Sequence, residues 1–398
     1  MKNRKSQIKI TNFNNLKMNK KIPSLKFPIA FLLLFFFFSC SAQKYYLFVG
    51  TYTNTDSKGI YIYDFDSQTG EATWVSNTDS VTNPSYLTIS KNQKYVYAVN
   101  ETNGLNPGRV TAYSFDKKKG TLHFLNTTAS GGDDPCYIST TSDNKWLAVA
   151  NYSSGTATVF PINKNGTVAP YSQIIYDSVY KNSGEIAKPH VHETVFSPDE
   201  KFLLTPDLGL DEVITYQFDP AIKLPLIISS ATFTKSEKGT GPRHLVFSRD
   251  KKFVYLLHEM GGTVTAYHYN QGKLTQIQDI PAFPDRFVGR KDGAEICISP
   301  DGKFLYASTR GDLNSIAIFS IDPVSGKLSI KGSQSTFGKG PRNFIIDPTG
   351  NYLLVANQDS RNIVIFKRDK ETGLLIKTNK EIEVPRPVCL QMIAKQAK

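Results

Sequence analysis

The strongest constraint on this chain is that it repeats itself. Six segments share an apolar strand, a tight turn and a second, aromatic-rich strand: NPSYLTISKNQKYVYAVNE (83–101), DPCYISTTSDNKWLAVANY (134–152), VHETVFSPDEKFLLTPDL (191–208), GPRHLVFSRDKKFVYLLHE (241–259), DGAEICISPDGKFLYASTR (292–310) and GPRNFIIDPTGNYLLVANQ (340–358). Their turns, SPDG, SRDK, SPDE and DPTG, place Asp, Pro and Gly where a β-turn needs them. A third strand with period-two alternation follows each pair: RVTAYSFD, TATVFPIN, EVITYQFD, TVTAYHYN, SIAIFSID and NIVIFKRD. A Gly-centred turn then leads to a fourth, as in SGKLSI (325–330). Each unit reads as a four-stranded antiparallel meander of roughly fifty residues, the length of one propeller blade.

A seventh unit is divided between the chain ends. Residues 45–51 (YYLFVGT), 59–66 and 71–78 supply its second, third and fourth strands, and 386–392 (RPVCLQM) supplies the missing first. Pairing the last strand beside the first leaves no free edge. The fold class is therefore all-β, a seven-bladed β-propeller closed by N- and C-terminal strands that share one blade. A length of 398 residues would otherwise suggest two or three domains. No linker separates the units, so residues 43–398 read as one domain.

Residues 1–42 read as an export signal. Eight basic and no acidic residues lie in 1–39, followed by IAFLLLFFFF (29–38) and the small residues Ser39-Cys40-Ser41-Ala42. This is a signal-peptide order, and ten apolar residues are too few to span a bilayer. Two processing routes stand open. Lipidation of Cys40 would tether the chain as a lipoprotein of the periplasm or outer membrane; cleavage after Ala42 would release it. Met18 would give a more compact signal than Met1. If the segment is not a signal, the chain is cytoplasmic.

The same segment explains the charge. The whole chain is +12, which alone would point to nucleic acid, but residues 40–398 hold 39 basic against 35 acidic residues, a balance of +4. The run Lys117-Lys118-Lys119 falls at a turn, where it serves solubility, so nucleic acid is not an expected partner. Beyond Cys40, only Cys136, Cys297 and Cys389 occur, each within an apolar strand-like run. They read as buried small residues rather than a disulfide framework.

In a propeller, the loop into the first strand of a blade and the loop out of its second strand open on one face. Successive blades carry Ser85, Cys136, His192, Arg243, Ala294, Arg342 and Val388 at the first position, with Tyr86, Tyr137, Glu193, His244, Glu295, Asn343 and Cys389 one step on. At the second they carry Asn100-Glu101, Asn151-Tyr152, Asp207-Leu208, His258-Glu259, Thr309-Arg310, Asn357-Gln358 and Gly50-Thr51. The turns are nearly interchangeable among blades, whereas these positions diverge in charge, with His, Arg and Glu concentrated in blades three to six. Asn100, Asn151, Asp207 and Asn357 could also simply satisfy turn backbone.

The segments ANYSSGTATVFPI (150–162), KPHVHETVFSPD (188–199), GTGPRHLVFS (239–248) and YASTRGDLNSIAIF (306–319) resemble the lactonase propeller family over essentially the whole of residues 43–398. That family includes propeller-type 6-phosphogluconolactonases and carboxymuconate cycloisomerase. The resemblance implies a funnel-mouth set of a His, a Glu and two Arg, here His190 or His192, Glu259, Arg243 and Arg310. It implies a sugar δ-lactone as the small-molecule partner.

The residue chemistry points the same way. Lactone hydrolysis needs a base to activate water, which a neutral His or a carboxylate supplies, and fixed cations to stabilise the oxyanion. Glu259 or His192 is the expected base, Arg243 the oxyanion partner, and Arg310 or Arg342 the anchor for a substrate anion. His244, Glu295, Glu101 and Asn151 complete the expected substrate-binding set. No cofactor and no protein partner are expected. Two rival readings remain: a metal held by His190 and His192 with Glu193, Glu259 or Glu295, and a surface-anchored propeller that binds without catalysis. A pentose-pathway lactonase belongs in the cytoplasm, so an exported chain implies an extracytoplasmic lactone.

Overall fold

The computed structural model describes residues 43–79, 81–176 and 188–395. The expected signal and Cys40 lie outside the described residues. Seven antiparallel sheets of four strands each form the fold, and the described residues contain no helix. In the closing blade, Pro387–Ala394 is the first strand, followed by Lys44–Thr51, Tyr61–Asp66 and Ala72–Asn77. Leu47 faces Met392 and Val49 faces Leu390 in the ladder that joins the two chain ends. The first strands of successive blades lie against each other around the ring axis.

The turn chemistry read from the repeats is visible in hydrogen bonds. Ser299 Oγ bonds Asp301 Oδ1 at 2.5 Å, Lys303 N donates to the same carboxylate at 3.0 Å, and Phe304 N donates to Ser299 Oγ at 3.0 Å. The same Ser-x-Asp clasp recurs at Ser197/Asp199 and Ser248/Asp250. These side chains do the work of a local backbone turn and fix hairpin register.

Packing explains why the units need one another. Tyr255 and Leu257 of the fourth blade share an apolar cluster with Leu305 and Phe319 of the fifth. Likewise Leu47, Phe65 and Leu390 of the closing blade pack on Leu354 and Ile365 of the sixth. Every blade thus buries its faces against neighbours, each large side chain contributing about 1.5–3 kcal/mol. Outer strands such as Leu328–Ser335 are exposed or half-buried beyond their first residue. The Lys117–Lys119 run sits in an outer turn with Lys118 and Lys119 exposed. The three cysteines among the described residues are free thiols; Cys136 and Cys389 are buried, but Cys297 is only half-buried, short of the full burial its apolar run implied.

Candidate active site

The inner strands are regular except where the charged residues stand. In the fourth blade Pro242 pairs with His258 and His244 with Leu257, leaving Arg243 as an extra residue with no partner opposite. The same bulge isolates Cys136, Arg342 and Val388 in their blades, and Ala294 with Glu295 in the fifth. In the third blade pairing is interrupted between a Val191–Asp207 bridge and Val195, and His192 lies in the gap. A bulge kinks its strand and re-aims the side chain it carries. Gly241 and Gly340, at φ +66° and +69°, supply the left-handed turn just before Arg243 and Arg342.

These bulges bring residues of four blades together. Arg243 is almost fully buried; its Nε donates to Glu259 Oε2 at 2.8 Å, and its Nη1 donates to the Ala294 carbonyl. Arg310 Nη2 pairs with the other oxygen of Glu259 at 2.9 Å and reaches the Gly293 carbonyl at 3.3 Å. One carboxylate therefore holds two guanidinium groups in place. The partners of Arg243 among the described residues are at Nε and Nη1, which leaves Nη2 as a donor, and the Arg310 Nε is buried with no partner among them.

His192 is buried and forms no side-chain hydrogen bond among the described residues; its Nδ1 is sealed off, leaving Nε2 as the uncommitted ring nitrogen. Its ring lies 5.6 Å from that of Tyr152 and 5.0 Å from that of His244. His244 Nδ1 is 3.2 Å from Glu295 Oε1, and Asn343 Nδ2 donates to Glu295 Oε2. Deeper in the channel, Glu193 accepts from Leu245 N at 2.7 Å, and Tyr86 and Tyr137 stack with ring centres 4.1 Å apart.

Arg342 forms no hydrogen bond or ion pair among the described residues. Its guanidinium lies 5.4 Å from the centre of the Tyr52 ring, and the Tyr52 hydroxyl donates to Glu101 Oε1 at 2.8 Å. An unpaired guanidinium beside an aromatic wall is a ready anion site.

The electrostatics follow from this layout. Burial, then the charges of Arg243, His244, Arg342 and Arg310, push the His192 imidazole well below its usual 6.5, so it is neutral at pH 7. Burial opposes charge on Glu259, but Arg310, Arg243 and Arg342 outweigh it and hold the carboxyl below its ordinary value. Burial brings His244 to about 4 and pushes the Glu193 carboxyl well above its ordinary value. The funnel thus holds neutral imidazoles, an ionised Glu259 and a surplus of guanidinium charge.

Residues 46–392 match the family described as lactonase, 7-bladed beta-propeller. The chain belongs to the lactonase propeller family. It is 34% identical to a 6-phosphogluconolactonase of Bacillus subtilis (strain 168), covering 88% of this chain and 99% of the relative. It is 37% identical to a 6-phosphogluconolactonase of Formosa agariphila, covering 87% and 99%. The solved periplasmic gluconolactonase of Pseudomonas aeruginosa is 36% identical, with a TM-score of 0.84 over 89% of this chain and all (100%) of that one.

Within this lactonase propeller several expected site residues stand elsewhere. Asn151 is fully buried; its amide nitrogen donates to the Ser130 carbonyl at 3.3 Å and to Thr156 and Thr158 at 3.0 and 3.1 Å. It ties its own blade together and does not reach the funnel, so its expected substrate contact is corrected. Asn100, Asn357 and Asp207 likewise bond backbone near their turns. His190 stacks on Tyr152 at 4.5 Å and its Nδ1 bonds the Tyr152 carbonyl at 3.0 Å, which places it behind Tyr152, while His192 faces the arginines. No three His, Cys, Asp or Glu side chains converge to hold a metal among the described residues.

The closing blade also shifts by one position. Thr51 pairs with Pro387 as His258 pairs with Pro242, so Thr51-Tyr52, not Gly50-Thr51, is equivalent to His258-Glu259. The sequence alignment missed Tyr52 for this reason. Its signal was present one residue further on, but the bulge that sets the register cannot be read from alternation alone.

Proposed function

We propose that this chain hydrolyses a sugar δ-lactone to the open aldonic acid, with His192 rather than Glu259 as the general base. The observation that carries this reading is the division of labour at Glu259: both carboxylate oxygens are held by arginines, whereas the His192 ring has no hydrogen-bond partner among the described residues and its Nδ1 is buried. A water between His192 and the lactone carbonyl gives its proton to Nε2 as its oxygen bonds to the carbonyl carbon. The carbonyl oxygen takes the negative charge, and the proposed stabilising donor is Nη2 of the buried Arg243.

A depressed imidazole is a weak base, and the developing oxyanion offsets the arginine charge that depresses it. The resulting imidazolium is correspondingly a strong acid. As the ring C–O bond breaks, it returns the proton to the ring oxygen, and the intermediate collapses to a hydroxy acid. Arg342 is the anchor for a phosphate on those lactones that carry one, and a neutral lactone does not engage it as an ion pair. Relatives named 6-phosphogluconolactonase and a periplasmic gluconolactonase support the substrate class. Residues 1–42 favour an extracytoplasmic lactone, and Cys40 is the proposed lipidation site.

The test is pH-stat hydrolysis of glucono-δ-lactone and its 6-phosphate by wild type and His192→Asn. Enzyme-dependent ring opening that the variant loses supports the reading. If neither lactone is opened faster than in buffer, the propeller is a binding module.

A further inference from the structure

A second cavity, lined in part by Tyr52, opens beside the funnel. The funnel's Arg342 lies 5.4 Å from the centre of the Tyr52 ring and Arg386, which lines the cavity, lies 5.5 Å away. The cavity measures about 420 Å³, at the small end of ligand-site volumes. Its polar groups are largely preset. Arg386 Nη1 donates to Asn54 Oδ1 at 2.8 Å, and Asn103 Nδ2 donates to both oxygens of Asp134 at 3.0 and 2.8 Å. Asn83 Nδ2 holds the Glu101 carbonyl at 3.0 Å. Among the described residues, what remains unpaired is Glu101 Oε2, which is buried, and the side chain of exposed Asn106.

We propose that this cavity is a subsite for a neutral sugar ring carried on the lactone, so that the preferred substrate is the δ-lactone of a disaccharide aldonic acid. The inference rests on the lactonase reading and extends it. The lining carries two carboxylates, Glu101 and Asp134, against one guanidinium, Arg386. That balance repels a phosphate dianion, while amides, carboxylates and an arginine in fixed positions suit the hydroxyls of an uncharged ring. Tyr52 joins the two compartments: one edge meets Arg342 of the funnel, and its hydroxyl positions Glu101 at the cavity wall.

The experiment compares glucono-δ-lactone with cellobiono-δ-lactone and maltobiono-δ-lactone, using wild type and Asn106→Trp, which fills the cavity from its exposed rim. Wild type should show a kcat/KM at least about tenfold higher for one disaccharide lactone, as two or three added hydrogen bonds imply. Asn106→Trp should abolish that advantage and leave glucono-δ-lactone turnover unchanged. In parallel, calorimetry on wild type should find the disaccharide acid binding about tenfold more tightly than gluconate or 6-phosphogluconate. Equal kcat/KM and equal affinities, or tighter binding of 6-phosphogluconate, overturn the subsite while leaving the lactonase reading intact. No ring opening of any lactone overturns the lactonase reading itself.

Discussion

Glu259 bridges Arg243 and Arg310, accepting from Arg243 Nε at 2.8 Å and from Arg310 Nη2 at 2.9 Å. The carboxylate fixes the orientation of the guanidinium meant for the oxyanion and cancels part of the charge that burial makes costly. Removing it leaves two buried cations uncompensated. Glu259→Gln should therefore lose both activity, by about 10²–10³ in kcat, and stability, by roughly 3–5 kcal/mol. Thermal unfolding alongside kinetics checks this; an unchanged Tm would mean the bridge carries no structural weight.

His192 should set the acid limb of the rate profile. The base must be neutral, and burial with nearby arginines lowers its pKa well below 6.5. The active form therefore persists as pH falls past 6.5, and kcat/KM should decline only at more acidic pH. A limb centred at or above 6.5 would contradict the assignment. His192→Asn should reduce kcat/KM by about 10²–10⁴.

Arg342 has no ion pair among the described residues, so its loss should leave the fold largely intact. Arg342→Ala should raise KM for the 6-phosphate lactone by about ten- to a hundredfold, with a much smaller effect on uncharged glucono-δ-lactone. Equal effects on both lactones would show that Arg342 does not read the anion.

Asp207 tests the electrostatics away from the chemistry. Its Oδ1 accepts from the backbone of His190, Gly209 and Leu210 at 2.9 Å each, and burial raises its pKa from 3.8 to about 6. The folded state thus binds the proton more tightly than the unfolded state. The stabilising contribution is complete below 3.8 and is lost as pH rises through 6. Asp207→Asn keeps the three acceptor bonds and removes the titration, so relative to wild type it should gain up to about 3 kcal/mol between pH 4 and pH 7. Denaturant melts at the two pH values measure this, and a constant difference would refute it.

Ring closure gives a last prediction. Leu390 is fully buried between Val49 and the sixth blade. Leu390→Ala should cost about 2–5 kcal/mol, whereas Leu374→Ala on an exposed outer turn should stay within about 0.5 kcal/mol. Similar losses at both would mean that the terminal strand is not what closes the ring.

The ring itself was legible in the sequence. Strand alternation and Ser-x-Asp turns are local signals, and the split seventh unit could be counted without knowing any contact. The candidate columns also held Arg243, His192, Glu259, Arg310 and Arg342 because repeats align on their turns. What each residue does was not legible. Asn151 and Glu259 occupy almost the same place in their blades, yet one bonds its own blade and the other bridges arginines from two.

That difference depends on bulges that re-aim single side chains, and on distances between residues about fifty positions apart in the chain. Tyr52 escaped the alignment because one bulge shifts the register of the closing blade. The sequence alone determined the architecture and the cast of charged groups, since periodicity and turn chemistry act over a few residues. Only the tertiary structure decided which oxygen meets which guanidinium, which imidazole stays neutral and where a second cavity opens. Hydrogen bonding and desolvation are set by ångström-scale proximity that sequence spacing does not contain.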